Sequence, residues 1–253
     1  MFCTDRFLAI SQPKTGSTTR RNGFSKILGG RVFLDYGEVE KHHPYRYKGH
    51  RFGGHVPLHA IPAEAIKDRL TVATVRNPWD WYVSVWKHIR PRREGVIHEH
   101  SNAWGTGDQS FEAVLYGMTH PEEVPNPVPR HEVSAPGGHD PKNPWPRGLW
   151  SHSTHWYYGG SRMWIDLAVQ NEVWATVLAP EHADALRGCM VWNVSEGLTE
   201  TERWPWTMEQ FEWVWNADQE LIQRLGYTEP GKPASKPYSE EVVLGGLSAP
   251  VSA

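Results

Sequence analysis

The sequence predicts an α/β fold in which helices flank a central parallel sheet, and two strand–loop–helix units are the basis for this prediction. In the first unit, the short apolar run Phe7–Ile10 leads into a loop of small residues and then into a helix. In the second unit, the β-branched run Leu70–Val75 leads into a helix that begins at Pro78. The length of 253 residues suits one α/β domain, or a domain with a large insertion.

The loop of the first unit covers residues 12–19 and reads Gln-Pro-Lys-Thr-Gly-Ser-Thr-Thr. The N–H groups and the dipole at the start of the following helix favour a negative charge, and Lys14 adds a mobile cation. A nucleoside-triphosphate P-loop has its lysine after the second glycine, whereas Lys14 precedes Gly16. The loop therefore predicts an anion site that does not follow the triphosphatase pattern, with an ordinary helix-capping turn as the alternative.

The second unit places Arg76 at the end of its strand, where open α/β sheets bind their ligands. Asn77 is typical of a helix N-cap, and Pro78 of the first helical position. Ser84 lies off the apolar stripe of this helix, so we expect it to face a ligand. A guanidinium and a hydroxyl together form a second phosphate clamp, and two clamps indicate a nucleoside with phosphates at both ends. The alternative is an arginine that merely caps the sheet edge.

Three segments, residues 13–19, 55–62 and 75–84 in chain order, resemble motifs of the sulfotransferase family. Residues 13–19 resemble the loop that binds the 5′-phosphosulfate, and Val-Arg-Asn-Pro over residues 75–78, followed by Ser84, resembles the motif that binds the 3′-phosphate. Between them, residues 55–62 read His-Val-Pro-Leu-His-Ala-Ile-Pro and resemble the His-x-Pro-Leu stretch of cytosolic members, whose histidine is the catalytic base.

The resemblance implies an enzyme that transfers a sulfuryl group from 3′-phosphoadenosine-5′-phosphosulfate (PAPS) to a hydroxyl or amine acceptor and releases 3′-phosphoadenosine-5′-phosphate. It implies a P-loop-like, three-layer fold, with His55 as general base and Lys14 stabilising the leaving phosphate, and it requires no metal. The donor-binding residues that it implies are Lys14, Thr15, Gly16, Ser17, Thr18, Thr19, Arg76 and Ser84.

The chain departs from the family pattern in two places. Gly53 stands where cytosolic members often carry a lysine, and the glycine-rich loop that completes their 3′-phosphate site has no clear counterpart. Arg20, Arg21 or residues of the insertion are the candidates for this third contact. Some carbohydrate sulfotransferases use glutamate as base, so Glu38 and Glu40 are rivals for that role.

Three rival functions stay open, and one of them is a histidine-rich metal-binding protein, which would carry stoichiometric zinc after purification. A degenerate P-loop kinase or nucleotidase would need a magnesium-holding carboxylate at a strand end, whereas the strand 70–75 ends in Arg76. A catalytically inactive sulfotransferase-fold binding module would bind the nucleotide without turnover.

The domain prediction is one sulfotransferase domain over residues 1–229, followed by a loosely held tail over residues 230–253. Residues 91–150 are crowded with proline, glycine and histidine and predict an irregular insertion near the acceptor site. We expect a small-molecule or carbohydrate acceptor, while the oligomeric state stays open.

The remaining predicted elements are a helix over 111–118, a strand over 163–169, a helix from near 172, a strand over 189–192 and a long helix that Thr207 caps and Gly226 ends.

Composition narrows the class of protein further. The net charge of -3 argues against a nucleic-acid-binding protein, and two cysteines argue against a disulfide framework. No apolar run approaches the ~20 residues of a membrane span, and no signal peptide is recognisable, so we expect a cytoplasmic protein. The 14 histidines form no His-Glu-x-x-His pattern, and no metal site is predicted.

Overall fold

The computed structural model describes residues 1–32, 57–58, 61, 63–89, 110–120, 123, 148–189, 205–235 and 238–239. The chain divides into two compact units. The first, called the sheet unit, comprises residues 1–76, 154–194 and 236–253. The second, called the helical unit, comprises residues 77–153 and 195–235.

Six strands of the described chain form one sheet in the order β3-β1-β2-β4-β5-β6. They are β1 (Phe2–Cys3), β2 (Phe7–Ile10), β3 (Arg31–Val32), β4 (Leu70–Val75), β5 (Met163–Asp166) and β6 (Tyr238–Ser239). The three central strands β2, β4 and β5 are parallel, and the outer pairings are antiparallel. The α/β class predicted from the sequence is confirmed, with a parallel centre and antiparallel edges.

Helices separate all successive strands after β2 along the described chain. They are α1 (residues 17–27), α2 (Ala63–Ile66), α3 (Pro78–Ile89), α4 (Phe111–Thr119), α5 (Leu149–Tyr158), α6 (residues 170–178), α7 (Ala183–Arg187) and α8 (Met208–Leu225). Two helices contain π-helical segments, Arg20–Phe24 in α1 and Trp174–Leu178 in α6. Such segments are rare and frequently occur at functional sites.

The core of the sheet unit is built around Trp174, which is fully buried. Its ring lies 5.8 Å from that of Phe2, 5.2 Å from that of Phe7 and 5.6 Å from that of Phe24. Alternate residues of the central strands face this cluster, and the residues between them are buried on the opposite face. A parallel sheet buried on both faces explains why its strands are continuous apolar runs in the sequence.

Helix α3 begins where the sequence predicts, since the Asn77 side chain accepts a hydrogen bond from the Asp80 N–H at 3.4 Å. Residues 78–85 of this helix are all buried, and Ser84 is 4 % exposed. Trp81 and Val85 are buried as well, so the apolar surface of the helix extends beyond the predicted stripe. That Ser84 faces a ligand stays a prediction.

Helix α8 is capped as predicted, by a capping box at Thr207 and by left-handed Gly226 after its end. Helix α5 begins within the predicted insertion, where the sequence indicates no helix. The buried Asp218 carboxylate accepts from the Ser151 N–H at 2.9 Å and from the Tyr82 hydroxyl at 2.7 Å. The Tyr82 oxygen accepts in turn from the Trp150 N–H at 3.1 Å. Helix α8 and helix α3 therefore supply the cap that the first turn of α5 requires.

Other predicted elements have a mixed outcome. The predicted strand 163–169 is a strand only as far as Asp166, because its carboxylate accepts from the Ala168 N–H at 2.7 Å and starts a 3₁₀ turn, Leu167–Val169. Most of the predicted insertion and residues 190–192 of the predicted strand 189–192 lie outside the described residues. At the start of the predicted tail, the Asn77 side chain donates to the Lys232 carbonyl at 2.9 Å, and Asp80 accepts from the Gly231 N–H at 3.2 Å.

Replacing Asp218 with asparagine is expected to lower the free energy of unfolding by about 1–3 kcal/mol, because an amide presents its NH₂ group to one of the two donors. Urea denaturation measures the change. The matched control is Glu212→Gln, at an exposed position of the same helix, which should change the stability by less than about 0.5 kcal/mol. Equal losses in the two variants would contradict the capping role of Asp218.

Candidate functional site

The loop between β2 and α1 has an unusual backbone. Lys14 has a φ of 65° and Gly16 a φ of 75°, so two left-handed residues are separated by Thr15 alone. A lysine in this region is uncommon, since its Cβ crowds the backbone. At Gly16 a side chain is excluded twice, because a Cβ there would also lie 2.7 Å from the Leu167 Cδ1. The loop is therefore held in a strained conformation by the structure around it.

The Tyr158 hydroxyl is one of the groups that hold this loop. It accepts from the Gln12 N–H at 2.8 Å and donates to the Thr74 carbonyl at 2.6 Å. It also lies 3.1 Å from the Thr15 Oγ1, which donates to the Gln12 carbonyl at 2.8 Å. One buried hydroxyl thus joins the loop after β2 to the end of β4.

Arg20 is the second group, and its side chain is fully buried. Its Nη1 donates to the Thr15 carbonyl at 2.6 Å and to the Gln170 Oε1 at 3.2 Å. Its Nη2 lies 3.2 Å from the Ser11 Oγ and 3.3 Å from the Thr15 Oγ1. The sequence made Arg20 a candidate for a direct 3′-phosphate contact, but its fork is turned inward, where both terminal nitrogens hold the loop.

The charge of Arg20 has no carboxylate partner among the described residues. Burial lowers its pKa to about 10, while the nearby Tyr158 raises it and Arg21 lowers it further. The guanidinium still carries its proton at neutral pH, so a positive charge lies in the low-dielectric interior beside the loop. A negative ligand bound at the loop would offset that charge.

Arg76 directly follows β4 and lies next to the loop. Ile10 pairs with Ala73 in the parallel β2–β4 register, so both strands run out at the same edge of the sheet. The Arg76 Nη1 donates to the Lys14 carbonyl at 3.3 Å, and the residue is 9 % exposed. The structure therefore brings Lys14 and Arg76 together.

The loop hydroxyls divide into two groups. Thr15 and Thr19 are buried, whereas Ser17 and Thr18 are half-buried at the start of α1. Gly16 occupies the N-cap of this helix and has no side chain with which to cap it. This start presents its positive dipole end at the loop, which suits a phosphate or sulfate oxygen.

Ser84 belongs to the helical unit. His55 and its rivals Glu38 and Glu40 lie outside the described residues, so their roles stay predictions.

Sequence reasoning missed Tyr158, Gln170 and the inward orientation of Arg20. Tyr158 and Gln170 come from the segment 154–194, far from the loop in sequence, and no local pattern marks them. Sequence reasoning also missed the carboxylate of Asp166 at the end of β5. In the sheet, Asp166 pairs with Val75 of β4. Only the sheet register places these residues near the loop.

Two further findings concern the described residues alone. They contain no cluster of three or more histidine, cysteine, aspartate or glutamate side chains arranged to hold a metal ion. Among their helices, none has the length and apolar character that crossing a membrane requires.

Comparisons with known proteins add no assignment. A scan against protein-family models finds no match, and searches of curated proteins and of solved structures find none either.

Replacing Arg20 with lysine is expected to lower the free energy of unfolding by about 2–4 kcal/mol, because one ammonium cannot reach all the acceptors of the guanidinium fork. Urea denaturation measures the loss. Arg162→Lys, at an exposed position of the same unit, should stay within about 0.5 kcal/mol of the parent. A loss as small in Arg20→Lys would show that the fork does not stabilise the loop.

Proposed function

We propose that this protein is a PAPS-dependent sulfotransferase. The observation that carries the proposal is the strained loop at Lys14, hydrogen-bonded to Arg76 across neighbouring parallel strands. Backbone N–H groups, two cations and the positive end of α1 meet at the carboxyl edge of the sheet. Two of the three segments that resemble the family supply this arrangement, namely residues 13–19 and residues 75–78.

The chemistry follows from these groups. The acceptor hydroxyl oxygen forms a bond to sulfur, and the bond from sulfur to the 5′-phosphate oxygen breaks in line. Lys14 and the N–H groups of the loop offset the charge that develops on the departing phosphate. His55 takes the proton of the hydroxyl, so the products are a sulfate ester and 3′-phosphoadenosine-5′-phosphate.

The buried Arg20 supports an anionic ligand of this kind. A guanidinium without a carboxylate partner in the described chain costs free energy, and a bound phosphate or sulfate group reduces that cost. Arg76 is assigned to the 3′-phosphate, as in the family motif. The matching role of Ser84 rests on the resemblance alone.

The finer features of the proposal also come from the resemblance. They are a P-loop-like, three-layer fold, an insertion over residues 91–150 that contributes to the acceptor site, and a cytoplasmic location. The acceptor is a small molecule or a carbohydrate with a free hydroxyl or amine.

Asp166 favours a second candidate, a degenerate P-loop kinase or nucleotidase. Its carboxylate stands at the end of β5, next to β4, which is the position that a magnesium-holding group requires. In the structure, however, one of its oxygens caps the following turn through the Ala168 N–H. A kinase would need magnesium for tight nucleotide binding, and a sulfotransferase would not.

The two candidates differ in the nucleotide that they bind. Calorimetric titration should give binding of 3′-phosphoadenosine-5′-phosphate that is independent of magnesium, and no comparable binding of ATP, because the second phosphate clamp recognises a 3′-phosphate. Magnesium-dependent binding of ATP would favour the kinase. If neither nucleotide binds, the proposed function is wrong.

The same titration tests the role of Arg76. Arg76→Ala should weaken binding of 3′-phosphoadenosine-5′-phosphate by about 2–5 kcal/mol, the range for a buried charged contact. Arg162→Ala removes an exposed arginine of the same unit and should leave the affinity unchanged.

His55→Ala should abolish sulfuryl transfer while leaving the affinity for 3′-phosphoadenosine-5′-phosphate nearly intact, because a general base acts on the acceptor. Transfer to a phenol, an alcohol and a sugar panel measures activity. Retained activity in this variant would move the role of base to Glu38 or Glu40. Nucleotide binding by the parent without transfer to any acceptor would favour a binding module.

A further inference from the structure

The segment around Lys14 is held at both of its ends by one side chain. Tyr158 is fully buried, and its hydroxyl accepts from the Gln12 N–H at 2.8 Å and lies 3.1 Å from the Thr15 Oγ1. These two partners stand on either side of Lys14 in the chain. The same hydroxyl donates to the Thr74 carbonyl at 2.6 Å, two residues before Arg76.

From these contacts, we infer that Tyr158 is a positioning residue, which holds Lys14 and Arg76 in place to bind the anionic sulfuryl-donor nucleotide. The inference rests on the proposed function, because it names the nucleotide that the two cations bind. Tyr158 does not itself bind the nucleotide, since its hydroxyl is directed to backbone and loop atoms inside the sheet unit.

Backbone strain at Lys14 explains why such a residue is needed. A non-glycine residue with a φ of 65° persists only where the surrounding structure over-determines it. Besides the bond from Arg20 to the Thr15 carbonyl, three contacts do so here: the Tyr158 hydroxyl on Gln12, the Thr15 side chain on the Gln12 carbonyl, and the Arg76 guanidinium on the Lys14 carbonyl. If the first contact is lost, the chain gains access to less strained conformations that place the Lys14 side chain elsewhere.

The ring of Tyr158 is anchored independently of its hydroxyl. It packs edge-on against the Trp164 ring, with centroids 5.7 Å apart and an interplanar angle of 71°. Tyr158→Phe therefore keeps the packing and removes the hydroxyl alone. Burial also raises the pKa of Tyr158, although Arg20 acts in the opposite direction, so the hydroxyl is protonated and can donate at neutral pH.

The chain offers a matched control in Tyr82. This tyrosine is equally buried, and its hydroxyl donates to the Asp218 carboxylate at 2.7 Å and accepts from the Trp150 N–H at 3.1 Å. All of these partners belong to the helical unit. Tyr82→Phe therefore removes a comparable buried hydroxyl without touching the loop at Lys14.

The test is calorimetric titration of 3′-phosphoadenosine-5′-phosphate into the full chain and its variants, at a temperature where all are folded by circular dichroism. Tyr158→Phe should weaken binding about tenfold, because it removes the hydroxyl contacts that hold the binding conformation. Tyr82→Phe should change the affinity less than about twofold, although both variants should have a lower Tm.

A double-mutant cycle with Lys14→Met distinguishes positioning from general destabilisation. If Tyr158 acts by placing the Lys14 ammonium, Tyr158→Phe should weaken binding far less in the Lys14→Met background than in the parent. If Tyr158→Phe acts only by destabilising the fold, its effect on the binding free energy should add to that of Lys14→Met, so that the fold-changes in affinity multiply.

The outcomes separate the two claims. If the parent chain binds the nucleotide and Tyr158→Phe binds it as tightly as Tyr82→Phe does, the inference is wrong and the proposed function stands. Full additivity in the cycle would likewise overturn it. If the parent does not bind the nucleotide at all, the proposed function fails and the inference fails with it.

Discussion

The parallel register of β2, β4 and β5 is the constraint on which the candidate site depends. Ile10 pairs with Ala73, and Val75 pairs with Asp166, so all three strands end at one edge of the sheet. The strands are buried on both faces, and a slip of one residue would turn every side chain of a strand to the opposite face. The packing that stabilises the sheet therefore also fixes where the loop at Lys14 and the side chain of Arg76 begin.

Arg20 links the stability of the sheet unit to the chemistry of the loop. Burial lowers its pKa to about 10, which means that the interior disfavours its charge. Its hydrogen bonds to Thr15, Ser11 and Gln170 offset part of this penalty and hold the loop in its left-handed conformation. The charge that remains favours an anion at the loop, so one residue supplies both the shape of the site and part of its attraction.

The positive N-terminal ends of α5 and α1 have different surroundings. The first turn of α5 is capped inside the protein, by the Asp218 carboxylate and the Tyr82 hydroxyl. The first turn of α1 begins at Gly16, which has no side chain to cap it. The first arrangement serves the stability of the helical unit, because it satisfies buried N–H groups internally. The second leaves the positive end of α1 directed at the loop, which is the property that an anion site needs.

The sequence by itself determined the α/β class, the central strands β2 and β4, the starts of α3 and α8, and the loop around Lys14, because apolar runs, caps and glycines are local signals. Only the tertiary structure decided which way Arg20 points, that Ser84 is buried, and that Tyr158 holds the loop. The orientation of Arg20 and the role of Tyr158 involve partners more than 140 residues away along the chain, Gln170 for Arg20 and Gln12 for Tyr158. A contact of that separation is set by strand register and packing, and no local pattern encodes it.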